Sequence, residues 1–303
     1  MRSVVFGDKA SAPGSHPPPH PVRPGGAVCA GRTDKAHWFG LIATLLWSAG
    51  PGQASEISSA ELDRLPQAQV YLLGEVHDNP VHHENQARAV AALEPTALVF
   101  EMLTPEQAAR VTPETRPDAD TLGEALEWDA SGWPDFAMYF PIFEAAPDAG
   151  IFGAAVPREA ARAAMERPLS ESFGADTARF GLDQPLLEAD QQDREATQAA
   201  AHCDMLPDEM LPGMVAIQRL RDAMLARAAL EALEATGGPV AVITGTGHVR
   251  TDQGVPLKLS RAAPAVDVLA LGQLEAAPDD APPFDLWIVT DPVDRPDPCE
   301  AFR

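Results

Sequence analysis

Val70–Asn79, VYLLGEVHDN, runs an apolar strand into a glycine and then sets Glu75, His77 and Asp78 close together. Far along the chain Val240–Arg250, VAVITGTGHVR, repeats the arrangement, an apolar run followed by Gly-x-x-His. Short apolar runs bounded by glycine are expected as buried strands of a parallel sheet. In open parallel sheets ligands sit outside the carboxyl ends of the strands. Two strand ends that each deliver a histidine behind a glycine are therefore the strongest functional signal in the chain.

The neighbouring sequence extends this reading into a fold. The first strand is expected at Gln69–Leu73, and Pro80 permits a helix start for Val81–Leu93. Ala97–Met102, ALVFEM, reads as a second buried strand that carries Glu101 near its end. A β–α–β crossover is right-handed almost by rule, so both carboxyl ends open on one edge. Further strands are expected at Gly150–Val156, Pro239–Thr244, Val266–Gly272 and Phe284–Thr290. Trp128–Ala146 and residues 168–203 read as helical, and Pro207–Thr236 as one long amphipathic helix ended by Gly237 and Gly238. The expected fold is α/β: an open, mostly parallel sheet flanked by helices. A helical subdomain, about residues 104–236, is inserted over the C-terminal strand edge.

The chain has 303 residues and a formal net charge of −23. Nucleic acid is excluded as a partner, because a phosphate backbone needs a basic face. After Lys35 the only lysine is Lys258, so recognition of anions falls mainly to arginine.

Residues 1–54 read as a leader, and residues 55–303 as the folded domain. Arg32 and Lys35 precede an apolar run, Trp38–Gly50, that is short for a membrane span. Small residues at Gly52 and Ala54 place cleavage after Ala54, so Trp38–Ala54 is the signal segment. The protein is then expected to be periplasmic or otherwise exported, with membrane attachment only where the leader stays uncleaved. Cys29 leaves with the leader, and Cys203 and Cys299 are expected to pair.

Three strand ends carry chemistry: Glu75 with His77, Glu101, and Thr246 with His248. A histidine offers a neutral nitrogen to a metal or an N–H to a carboxylate, and a glutamate ligates or fixes the tautomer. Glu75, His77, Glu101 and His248 together suit a divalent metal without choosing among Zn, Mn, Co and Fe. His83 and Gln86, at i and i+3 on the first helix, are expected to face the same cleft. His82 reads as solvated helix surface and Tyr71 as core. Tyr139 sits in an aromatic helix that either packs the core or covers a flat apolar ligand, and phenolate is also an axial ligand of haem iron. No Gly-x-Ser-x-Gly elbow occurs, and neither Cys203 nor Cys299 lies in a nucleophile motif.

GEVHDNPVHHENQ, LVFEM, WPDFAMYFPIFEAA, HCDMLP with MVAIQRLRDAMLA, and GTGHVRTDQGVP follow one another in that order. Together they resemble the ChaN-like haem-binding family, grouped with the Tiki/TraB and erythromycin-esterase-like proteins. The match runs from about Gln69 to Pro256. The resemblance implies an exported protein of haem or iron handling, with haem iron held by a tyrosine, a histidine taking part, and two haems stacked in a homodimer. It makes Tyr139 the candidate tyrosine and His77 or His248 the candidate histidine, with His83 beside them. No cysteine follows the apolar run for acylation, which departs from the lipoprotein pattern of some relatives. The Tiki and esterase relatives imply an alternative, a metal-dependent hydrolase. Glu75 or Glu101 would then be the general base, and His77 and His248 would hold metal or polarise a carbonyl. Whether the chain is an enzyme stays open, with binding preferred.

Overall fold

In β2 (Val70–Glu75) alternate residues go to opposite faces: Val70 and Leu72 join one apolar core, Tyr71 and Leu73 the other. A strand buried on both sides must lie inside a sheet covered by helices, and β2 does. The computed structural model describes residues 54–297 and 299–300, so the leader reading, Ala54 apart, and Cys29 lie outside the described residues. The other strands are β1 (Ser55–Glu56), β3 (Ala97–Phe100), β4 (Gly150–Gly153), β5 (Val240–Gly245), β6 (Val268–Leu274) and β7 (Leu286–Val289). They form one sheet in the order β1-β7-β6-β2-β5-β3-β4, and every pairing is parallel. β1 carries no readable period and was not expected from the sequence.

Strand β5 returns from far along the chain to lie between β2 and β3. Its register sets Glu75 opposite Gly245, and Phe100 opposite Ile243. The two Gly-x-x-His ends and Glu101 thereby reach the same edge side by side. Gly74 is required there, because a Cβ would lie 2.9 Å from Thr246 Oγ1 and 3.0 Å from the Leu271 carbonyl.

The helices are α1 (Pro80–Leu93), α2 (Pro105–Ala108), α3 (Ala119–Ala125), α4 (Phe136–Ala145) and α5 (Arg158–Glu166). They continue with α6 (Leu169–Phe173), α7 (Glu188–Ala201), α8 (Leu211–Thr236) and α9 (Val255–Ala262). α1 and α4 pack together on one face of the sheet, while α8 crosses the other face with α5, α7 and α9 against it. Asn79 caps α1 by accepting from the Val81 N–H at 3.0 Å, with Pro80 in the first turn, so the helix begins immediately beyond His77. α8 runs 26 residues and ends at Gly237, whose φ of +82° suits a residue without a Cβ. The stretch 104–236 thus serves both faces, and its α7 segment, with the start of α8, lies beside the strand ends. Residues 168–203 are helical only in part, in α6 and α7.

Cys203 and Cys299 form a disulfide, which ties the C-terminal tail to the turn after α7. Among the described residues no helix is long and apolar enough to cross a membrane.

Candidate histidine–carboxylate cleft

Glu75 is the buried centre of the first half of the site. Its Oε1 accepts from His77 Nδ1 at 2.7 Å and from the Tyr139 hydroxyl at 3.0 Å, and His83 Nδ1 stands 3.3 Å from Oε2. Burial opposes its ionisation, but the hydrogen bonds and charges of His77 and His83 outweigh that and hold it at about 2. Both imidazoles are raised in turn: burial works against the proton, and the Glu75 carboxylate overcomes it.

Glu101, just past β3, anchors the second half. Its Oε2 accepts from the Thr244 hydroxyl at 2.7 Å and the Gly245 N–H at 2.9 Å, while His248 Nε2 lies 3.4 Å from Oε1. On its other side His248 Nδ1 donates to Asp222 of α8 at 2.7 Å. Burial alone would strip the His248 proton, yet the Glu101 charge and the Asp222 hydrogen bond push its pKa up to about 10. Glu101 is correspondingly held well below the ordinary carboxylate range, burial being overcome by His248 and His77. His248 is an imidazolium clamped between two carboxylates.

A cleft of about 610 Å³ opens over these groups. Its floor includes Glu75, His77, Glu101 and His248, and its walls include Trp133, Arg194, Gln198 and Arg221. The His77 side chain is 33 % exposed, against 9 % for His248 and 1 % for His83. Trp133 flanks it, the two rings 4.8 Å apart and tilted by 56°. With Nδ1 held by Glu75, the free nitrogen of His77 is Nε2, and it passes so close to Gly245 that a Cβ there would lie 3.0 Å away. The loop after His77 is fastened by the tail: Arg295 donates twice to Asp78, at 2.7 and 2.8 Å, and twice to Glu275, at 2.6 and 2.7 Å. Asn79 also donates to Glu275, at 2.8 Å.

Several sequence expectations change. Tyr139 is completely buried, and burial with the Glu75 charge raises its phenol far above the ordinary value, so it braces Glu75 and presents no phenolate to the cleft. His83 lies behind the floor, its Nε2 donating to the His77 carbonyl at 2.9 Å, and Gln86 is equally buried. His82 is not solvated: its Nδ1 accepts from the Val76 N–H at 2.8 Å and its Nε2 donates to Thr290 at 2.8 Å. The metal set does not fit either. Both nitrogens of His248 face carboxylates, Nδ1 2.7 Å from Asp222 and Nε2 3.4 Å from Glu101, so neither is turned toward a site shared with His77 and Glu75. Among the described residues no three His, Cys, Asp or Glu side chains are arranged to hold a metal ion. Sequence reading missed Asp222, Trp133 and Arg221. Trp133 opens the quoted WPDF motif, whereas Arg221 and Asp222, inside the quoted MVAIQRLRDAMLA, look like ordinary polar positions of an amphipathic helix.

Fold and site together define an α/β protein with a parallel sheet and a histidine–carboxylate cleft at its strand carboxyl ends. Comparison places it further. The model of the family described as haem-binding uptake, Tiki superfamily, ChaN, matches residues 62–259, and the chain belongs to that family. Among solved structures it is similar to one described as cofacial heme binding to ChaN of Campylobacter jejuni. The identity is 21%, the TM-score 0.58, and the match covers 75% of this chain and 89% of that one. The type III effector HopBA1 also matches, at 16% identity over 74% of this chain and 88% of that one, but its TM-score of 0.39 is too low to support an argument. No curated protein matches.

Proposed function

We propose that this chain is an exported haem-binding protein of haem or iron handling, and that the cleft receives the haem with His77 at the iron. The observation that carries the reading is the state of His77. Among the histidines of the site it is the one substantially exposed to the cleft, and a buried carboxylate holds its Nδ1. That is the usual support for an iron-ligating imidazole, since the second partner fixes the tautomer and the ring orientation. Trp133 offers an aromatic flank, and the cleft volume lies in the range of small-ligand sites. Haem would supply the iron, and this chain's residues would orient and enclose it. Family membership supports the same ligand.

Export is supported by the leader reading of Trp38–Ala54 and by the Cys203–Cys299 disulfide, which persists in oxidising compartments. A homodimer is part of the proposal, as the resemblance implies. The test is a haem titration of the full chain followed by absorbance, with mass measured before and after loading and cell fractions probed for the protein. A saturable Soret shift supports the reading; featureless, nonsaturable absorbance sinks it.

A further inference from the structure

α7 walls the cleft with Arg194, Thr197, Gln198 and Ala201, and His202 follows at its C-cap. Yet the helix gives no side chain to either apolar core. Arg194 alone among its residues is buried, and its Nη1 donates to the Gln253 carbonyl at 3.1 Å. The side-chain bonds of Gln191, Gln192 and Thr197 stay within the helix. A helix of 14 residues is marginal in water without an apolar face to bury, so α7 depends on what holds its ends. Segments with so little buried apolar surface open at the lowest free-energy cost.

A covalent link holds the C-terminal end. Cys203, directly after His202, is bridged to Cys299. Four residues before Cys299, Arg295 fixes the tail to Asp78 and Glu275. Four residues reach at most about 14 Å, so the turn after α7 is leashed to the loop that follows His77. Cys203 and Asp204 both stand in the left-handed region, at φ +59° and +54°, which is costly for a residue with a Cβ. Such a turn persists where the surrounding structure enforces it, and here the enforcing link is reducible. Both cysteines are half-buried, which leaves the bridge within reach of a reductant.

We infer that α7 is a lid latched by the Cys203–Cys299 disulfide, held against the cleft while the bridge is intact and released when a dithiol reduces it. One thiolate of the dithiol attacks a sulfur of the bridge and expels the other cysteine as a thiolate. The second thiol then resolves the mixed disulfide. The dithiol leaves as a disulfide, and its two electrons and two protons pass to Cys203 and Cys299, which end as thiols. α7 is then left with Arg194 and its packing on α8, and the cleft opens along that wall. That the ligand released is haem rests on the haem reading above; the latch itself does not.

The experiment first follows amide hydrogen exchange in the haem-free full chain. Oxidised wild type, wild type with dithiothreitol, and the Cys203→Ser, Cys299→Ser double variant are compared over times at which β2 and β5 stay protected in oxidised wild type. α7 should exchange about tenfold faster in reduced wild type and in the double variant, while β2 and β5 remain protected. Dithiothreitol should change nothing further in the double variant. Haem transfer to excess apomyoglobin is then timed without reductant, so that no thiol reaches the iron. The double variant should release haem about tenfold faster than oxidised wild type. Unchanged α7 exchange on reduction would overturn the latch, and so would loss of protection in β2 and β5 together with α7, which is global loosening. Faster α7 exchange with unchanged haem transfer would overturn the lid and leave the haem reading standing. Wild type that takes up no haem would overturn the haem reading, while the exchange result still decides the latch.

Discussion

Oε1 of Glu75 lies 2.7 Å from Nδ1 of His77, at the end of one strand and inside the protein, so the imidazole that reaches the cleft is aimed by a carboxylate that does not. Glu75→Gln keeps the shape and removes the charge. Loss of such a supporting carboxylate is expected to weaken haem binding roughly 10–100-fold. Titration of the variant checks this, and wild-type affinity would show that Glu75 only fills the core.

Tyr139→Phe separates bracing from ligation. The hydroxyl gives one buried hydrogen bond to Glu75, and its loss should cost about 1–3 kcal/mol of stability. The Soret band of the loaded variant should match wild type. A shifted band would put the phenol at the iron and contradict its burial.

His82 makes the fold acid-sensitive. Burial pushes its pKa down to about 4, and Nδ1 must stay unprotonated to accept from Val76. The unfolded chain takes up this proton near pH 6.5 and the folded chain only near pH 4. The unfolded state thus holds more protons in that window, and stability falls as pH drops through it. His82→Gln has no such proton. Urea midpoints at several pH values should show wild type losing its margin over the variant between about pH 6.5 and 4. A constant margin would contradict the assignment.

The Cys203–Cys299 bridge spans a sequence separation of 96 and should contribute about 2–5 kcal/mol by restricting the unfolded chain. Denaturation of wild type with reductant should match that of the Cys203→Ser, Cys299→Ser double variant without it. Reductant should leave the double variant unchanged; an equal drop in both proteins would refute the contribution.

The polar ends of the sheet were legible because Glu75, His77, Glu101 and His248 each follow an apolar run that announces a strand. That β5 slots between β2 and β3 was not legible, since neighbour order depends on long-range packing that leaves no local mark. Asp222 was invisible for a related reason: within α8 it is one more acidic residue, and its role exists only in its contact with His248. His82 was misread because its neighbours on α1 are polar. Its cover comes from Thr290, which lies beyond β7. For Tyr139 the sequence offered core or cofactor, and only the hydrogen bond to Glu75 separates them.

Imidazole rescue tests the proposed place of His77 at the iron. Wild type, His77→Ala and His248→Ala are loaded with haem, and their absorbance is followed with and without free imidazole. His77→Ala alone should shift or lose the Soret band, and imidazole should restore the wild-type spectrum in that variant. A His77→Ala protein with the wild-type spectrum and no response to imidazole would contradict it.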